Sequence, residues 1–107
     1  MDEVREVYVG QKPLHAYIAA VANLFAEGNR ILRIVGRGRS IEKVVTIAQV
    51  CLNRNGTIAS TLPQISQGEI SIDTEVLPRQ DGNTTRVSVL RIDLINSESE
   101  DISIEDE

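Results

Sequence analysis

Residues 31–52, ILRIVGRGRSIEKVVTIAQVCL, decide the fold. The first five, Ile31 to Val35, are short, apolar and rich in β-branched side chains, which suits a buried central strand better than a helix. From Ile41 the period changes. Ile41, Val44, Val45, Ala48, Cys51 and Leu52 return at three- and four-residue steps and make one apolar stripe of a helix, expected to end between Asn53 and Gly56. Between strand and helix lies Gly36-Arg37-Gly38-Arg39-Ser40, in which Ser40 is expected to cap the helix by accepting from its exposed first-turn amides.

The same alternation of periods extends in both directions. Upstream, VREVYV at 4–9 reads as a strand ending at Gly10. Lys12-Pro13 then opens a helix whose stripe of Leu14, Tyr17, Ile18, Val21, Leu24 and Phe25 runs to a stop at Gly28. Downstream, TIASTLPQISQG at 57–68 mixes β-branched residues with Pro63 and Gly68 and reads as a loop or an irregular strand start. Ile70, Ile72 and Val76 mark one further strand. Val87 and Val89, followed by Leu90, Ile92 and Leu94, mark another with a register break inside it. Asp81-Gly82 between them is a hairpin turn pair, so the order is βαβαββ.

At 107 residues and 41% hydrophobic composition the chain fits one domain. No apolar run approaches the roughly 18 to 20 residues of a membrane span, and MDEVREVYVG lacks the features of a secretion signal. A cytoplasmic protein without a membrane partner is the expectation. The formal charge of −5 argues at first against a polyanionic partner, because nucleic-acid affinity comes largely from Lys and Arg displacing counterions. The acids, however, are unevenly spread. Residues 96–107, NSESEDISIEDE, hold six acids and no base, leaving 11 basic and 10 acidic residues in 1–95. The expectation is a domain over 1–95 that can carry a positive face, followed by an acidic, disordered tail over 96–107.

Two junctions could carry chemistry. Gly36 to Ser40 follows a strand and opens a helix, where backbone amides and the helix dipole can receive phosphate and glycines allow close approach. Position 41 is Ile rather than the third glycine of a dinucleotide site, and no GKS or GKT follows. Arg37, Arg39 and Lys43 fit an extended phosphate backbone better than one small ligand. The same turn also suits a solvated, glycine-assisted start to a helix. Gly10-Gln11-Lys12-Pro13 is a second strand-to-helix junction, and if the first two strands are neighbours the two junctions lie side by side. Arg79 and Arg86 flank the hairpin turn, with Asp81 subtracting from their charge. His15 reads as an ordinary exposed helix residue. Cys51 reads as a small core hydrophobe, with a reactive or intermolecular thiol as the alternative. No Cys, His and carboxylate cluster has metal-ligand spacing, and no nucleophile is paired with a base, so neither cofactor nor active site is expected.

Gly10-Gln11-Lys12-Pro13, the segment from Gly36 to Lys43, and Gln80-Asp81-Gly82 through Arg86-Val87-Ser88 together resemble the Alba family of archaeal chromatin proteins, over roughly residues 5 to 95. The resemblance implies an α/β two-layer sandwich of two helices on a four-stranded mixed sheet. It also implies a dimer with two projecting hairpin arms, and sequence-independent binding of double-stranded DNA or RNA through phosphates and the minor groove, on the chromosome. The family's paired lysines fall on Gln11 and Lys12, its turn arginines on Arg37 and Arg39, its following lysine on Lys43 and its hairpin arginine on Arg86. Gln11 removes the lysine whose acetylation is associated with regulation. Asn55 stands where many members carry a phenylalanine for contact between dimers. With its acidic tail, the chain looks like the divergent second Alba paralogue of some archaea.

These features leave three readings: a homodimeric or heterodimeric nucleic-acid binder, an interaction subunit that heterodimerises with a more basic Alba partner and modulates it, and a phosphate-handling enzyme resting on the glycine-arginine turn alone. DNA and RNA are not distinguished, since phosphate contacts serve both and no aromatic platform marks single-stranded RNA.

Overall fold

The computed structural model describes residues 3–98. β1 (Val4–Val9), α1 (Leu14–Ala26), β2 (Ile31–Arg37), α2 (Ile41–Asn53), β3 (Ile65–Pro78) and β4 (Thr84–Asn96) follow in the expected βαβαββ order, with 3-10 turns at Gly38–Ser40 and Ala59–Thr61. The strands form one mixed sheet in the order β1-β2-β4-β3; β1 and β2 are parallel, and β4 is antiparallel to both its neighbours. Both helices pack on one face. Tyr17, Ile18, Val21 and Phe25 of α1 and Val44, Ile47, Ala48 and Cys51 of α2 bury against Val7, Val9, Leu32, Ile34, Leu90, Ile92 and Leu94, which alternate along their strands as one face requires. Cys51 is fully buried there, and burial pushes its thiol up to about 12, leaving it protonated at neutral pH.

The opposite face is built differently. Val35 and Val89 are fully buried on it although no helix covers them. In the ladder Val35 is flanked by Tyr8 and Arg91, and Val89 by Arg37 and Asp73. The charges are paired. Arg33 donates from Nε and Nη2 to the two carboxylate oxygens of Asp93 at 2.8 and 3.1 Å, and Arg91 lies 3.9 Å from both Asp73 and Glu75.

Three details depart from the sequence reading. The break expected between Val89 and Leu90 is absent: β4 pairs without interruption there, and consecutive residues are buried because each face has its own cover. The irregularity lies instead in β3, where Gly68 and Glu69 bulge opposite Asp93 and the pairing jumps from Gln67 to Ile70. A Cβ on Gly68 would stand 2.8 Å from Ile95 Cδ1 and 3.1 Å from the Asp93 Cβ, so a side chain there would have to push the end of Ile95 aside. β3 begins at Ile65, so the segment read as a loop or an irregular strand start ends as the latter. Ser40 makes no capping bond. It belongs to the preceding 3-10 turn, and the Ile41 amide is taken by the Gly38 carbonyl.

The chain stays tied to the domain at its described end. The Asn96 amide donates to the Arg30 carbonyl at 2.8 Å, the Ser97 amide to Gln64 at 2.9 Å, and Glu98 Oε2 accepts from the Gln64 amide at 2.7 Å. The remainder of the expected acidic tail, residues 99–107, lies outside the described residues. At the other extreme β3 and β4 run out from the core as a ribbon, and the molecule measures 60 × 31 × 19 Å. Its tip closes through Arg79 and Asn83, with Gly82 at φ +90, as the Asp81-Gly82 pair predicts.

Candidate nucleic-acid interface

Because β1 and β2 are parallel neighbours, with Val9 opposite Gly36, their carboxyl ends place the two strand-to-helix junctions side by side. Gln11 and Lys12 are exposed at the first and Arg39 at the second. Lys43, one turn into α2, ties them together: its ammonium donates to the Lys12 carbonyl at 2.8 Å and the Gly10 carbonyl at 3.4 Å. Arg39 and Lys43 also border a shallow hollow of about 280 Å³ with Leu14, Glu42 and Thr46.

The glycines of the second junction have roles other than ligand approach. Gly36 is buried at the end of β2, where a Cβ would stand 2.4 Å from Val44 Cγ2 and 2.9 Å from the Ser40 carbonyl; the close approach is that of α2 itself. Gly38, at φ +55, supplies the left-handed turn that follows.

The remaining cations divide by their partners. Arg37 ends β2 on the helix-free face, where Nε and Nη2 donate to Glu75 at 2.8 and 3.1 Å, and its guanidinium lies 5.9 Å from the Tyr8 ring centroid. The Tyr8 hydroxyl in turn donates to Glu6, and that bond raises its pKa above the ordinary tyrosine value. The hydrogen bonds from Arg37 hold the Glu75 carboxyl below its ordinary range, assisted by the charges of Arg37 and Arg91. On the ribbon, Arg79 lies 3.8 Å from Asp81, whereas Arg86, exposed on β4 opposite Val76, has no ion pair with any described residue. Lys12 and Arg39 are likewise without an acidic partner among the described residues. Of the predicted residues, then, Lys12, Arg39 and Lys43 converge, Arg37 turns to the other face, and Arg79 and Arg86 stand apart on the ribbon.

Residues 5–67 match the Alba family. The chain belongs to it. Alba relatives include the DNA/RNA-binding protein Alba of Methanothrix thermoacetophila, 36% identical over 92 residues that span 86% of this chain and 96% of that one. A protein of the same name from Nanoarchaeum equitans is 34% identical over 84% of this chain and 96% of its own. Among solved structures, Alba from Thermoplasma volcanium superimposes with a TM-score of 0.71 at 32% identity, covering 85% of this chain and 99% of that one. An Alba protein of Trypanosoma brucei shares the fold at a TM-score of 0.66 and 13% identity, over 92% of this chain and 74% of its own. The two-layer fold expected from the resemblance is thus the fold of the family.

Two site residues escaped the sequence reading. Tyr17 looked like a member of the apolar stripe of α1, yet its hydroxyl accepts from the amides of Gly10 at 2.7 Å and Lys12 at 3.1 Å. The signal was its polar tip, which a buried tyrosine must satisfy. Glu75 gave none, since its partner Arg37 is 38 residues away in the chain. His15 is exposed, as expected. Among the described residues no group of His, Cys and acidic side chains could hold a metal, and no helix is long and apolar enough to cross a membrane.

Proposed function

We propose that this chain is a dimeric, sequence-independent nucleic-acid-binding protein without catalytic activity, associated with the chromosome in the cytoplasm. In this reading Lys12 and Arg39 hold phosphates, with Gln11 and Lys43 beside them. The ribbon reaches along the minor groove with Arg86, and Arg37 and Arg79 join once released from their acidic partners. The observation that carries the reading is the convergence of Lys12 and Arg39, exposed and without an acidic partner among the described residues, at the ends of adjacent parallel strands. Unpaired cations on a rigid edge release counterions on binding without first giving up an ion pair. The names of the relatives support the ligand class. For the dimer, support comes from β3, where Ile70, Ile72 and Val76 share one face at 47%, 80% and 59% exposure, and from Val45, 45% exposed on the helix that packs against β3. A second copy of the chain would bury them, and Ile72→Glu should yield a monomer in sedimentation.

Competition among duplex DNA, duplex RNA and single strands at one salt concentration identifies the ligand. Arg39→Ala and Lys12→Ala should each weaken binding to unrelated duplexes by similar factors and flatten log K against log salt by about one unit per lost contact. Unchanged affinity and slope in the folded double variant overturns the assignment. A second reading, a subunit that modulates a more basic Alba partner, is favoured by Gln11 and by the ion-paired Arg37 and Arg79. Comparing each homodimer with a mixture of the two chains separates the readings.

A further inference from the structure

We infer that Tyr17 and Lys43 are positioning residues of this interface: together they hold the turn over residues 10–13 in the shape that presents Lys12 to a phosphate. The inference rests on the proposed role of Lys12. Its basis is the accounting of the turn's backbone groups. Residues 10–12 belong neither to the β1–β2 ladder nor to α1, so their amides and carbonyls need partners from elsewhere. Two side chains supply them for Gly10 and Lys12. The Tyr17 hydroxyl, from α1, takes the amides of Gly10 and Lys12, and the Lys43 ammonium, from α2, takes the carbonyls of the same two residues.

The two side chains also support each other. Lys43 Nζ lies 5.8 Å from the centroid of the Tyr17 ring, and Tyr17 is only 6% exposed, so the hydroxyl is aimed by a ring the core holds still. With two of its three N–H groups on carbonyls, the Lys43 ammonium has one left for a phosphate. Its main effect is therefore on where Lys12 stands. A pre-shaped turn spares Lys12 the ordering cost that a loose one would impose on binding.

A double-mutant cycle on the intact protein tests the assignment, using one duplex at one salt concentration. Tyr17→Phe keeps the ring and removes only the acceptor. It is expected to weaken binding about fivefold, the size of one neutral hydrogen bond, and to have no further effect once Lys12→Ala is present. Hydrogen exchange should quicken at the Gly10 and Lys12 amides in both Tyr17→Phe and Lys43→Met, while Ile47 in the core of α2 keeps its protection. An equal loss from Tyr17→Phe with and without Lys12 makes the tyrosine a general stabiliser and overturns the inference. Unchanged binding by Tyr17→Phe, or unchanged exchange in both variants, does the same. If Lys12→Ala alone leaves affinity intact, the proposed phosphate contact itself fails, a result readily told apart from a failure of coupling.

Discussion

Arg37 and Glu75 clasp each other across an intervening strand: Arg37 ends β2, Glu75 lies on β3, and β4 runs between them. The bidentate geometry is the one a guanidinium uses for phosphate. On the proposed function, Glu75 thus takes up the guanidinium that Arg37 would offer to a phosphate.

Replacing the carboxylate should therefore free the arginine. Glu75→Gln is expected to tighten binding at low salt and to steepen log K against log salt by about 0.9 for each phosphate that Arg37 gains. An unchanged slope makes the pair purely a feature of the sheet.

The same pair sets a pH dependence. Glu75 titrates below its ordinary value in the folded chain, because Arg37 favours the charged form. Its contribution to stability is complete above the unfolded value of about 4.3 and is lost as pH falls through the lower folded value. Melting of wild type and Glu75→Gln should differ near neutrality and converge in acid below the ordinary carboxylate range. A gap that persists in acid excludes the ion pair as its source.

Asp93 is the buried acid of the helix-free face, 6% exposed, and both its oxygens are used by Arg33. Asp93→Ala leaves that guanidinium without its partner. Because the Arg33 side chain is 30% exposed, water moderates the loss. We expect roughly 1–3 kcal/mol in urea unfolding, less than removing one partner of a fully buried pair. A change under about 0.5 kcal/mol, the range of an ordinary surface substitution, removes the pair from any role in stability.

The parts of this fold legible in the sequence are those in which burial is periodic. α1 and α2 announce themselves because one stripe of each meets the sheet, and β2 because its core residues adjoin glycine. Gly68 marked an irregular start to β3, but the place of the bulge opposite Asp93 was not legible, since it depends on the pairing with another strand. Ser40 misled because a capping residue and the last residue of a 3-10 turn have the same local sequence. At the interface, the positions of Lys12 and Arg39 follow from strand order alone. The state of Arg37 does not, because its neutralising acid comes from a distant strand.

On the ribbon the two arginines should behave unequally. Arg86 is unpaired among the described residues, while Arg79 lies 3.8 Å from Asp81. Arg86→Ala should weaken duplex binding more than Arg79→Ala, and a minor-groove drug should compete with wild type. Equal binding by both variants and no competition place the ribbon off the nucleic acid.

Deleting residues 99–107 should raise nucleic-acid affinity at low salt. The segment carries five acids and no base, so its removal takes the formal charge from −5 to 0. Glu98 is kept because its carboxylate accepts from the Gln64 amide and belongs to the domain. Glu98 lies at the end of the sheet where β2 begins, opposite the end that carries Lys12 and Arg39; a charged segment that follows it either repels phosphate or competes with it, and both effects act through a screened field. Since the screening length falls from about 30 Å at 0.01 M salt to about 3 Å at 1 M, the gain should be greatest in dilute salt and vanish in concentrated salt. A change in folding would not follow that course. The measurement is a titration of the full chain and of 1–98 with one duplex at several salt concentrations, after matching dimerisation and melting temperature. A segment that merely solubilises the protein predicts overlaid curves throughout; overlay at the lowest salt is the result that would remove the tail from the control of binding.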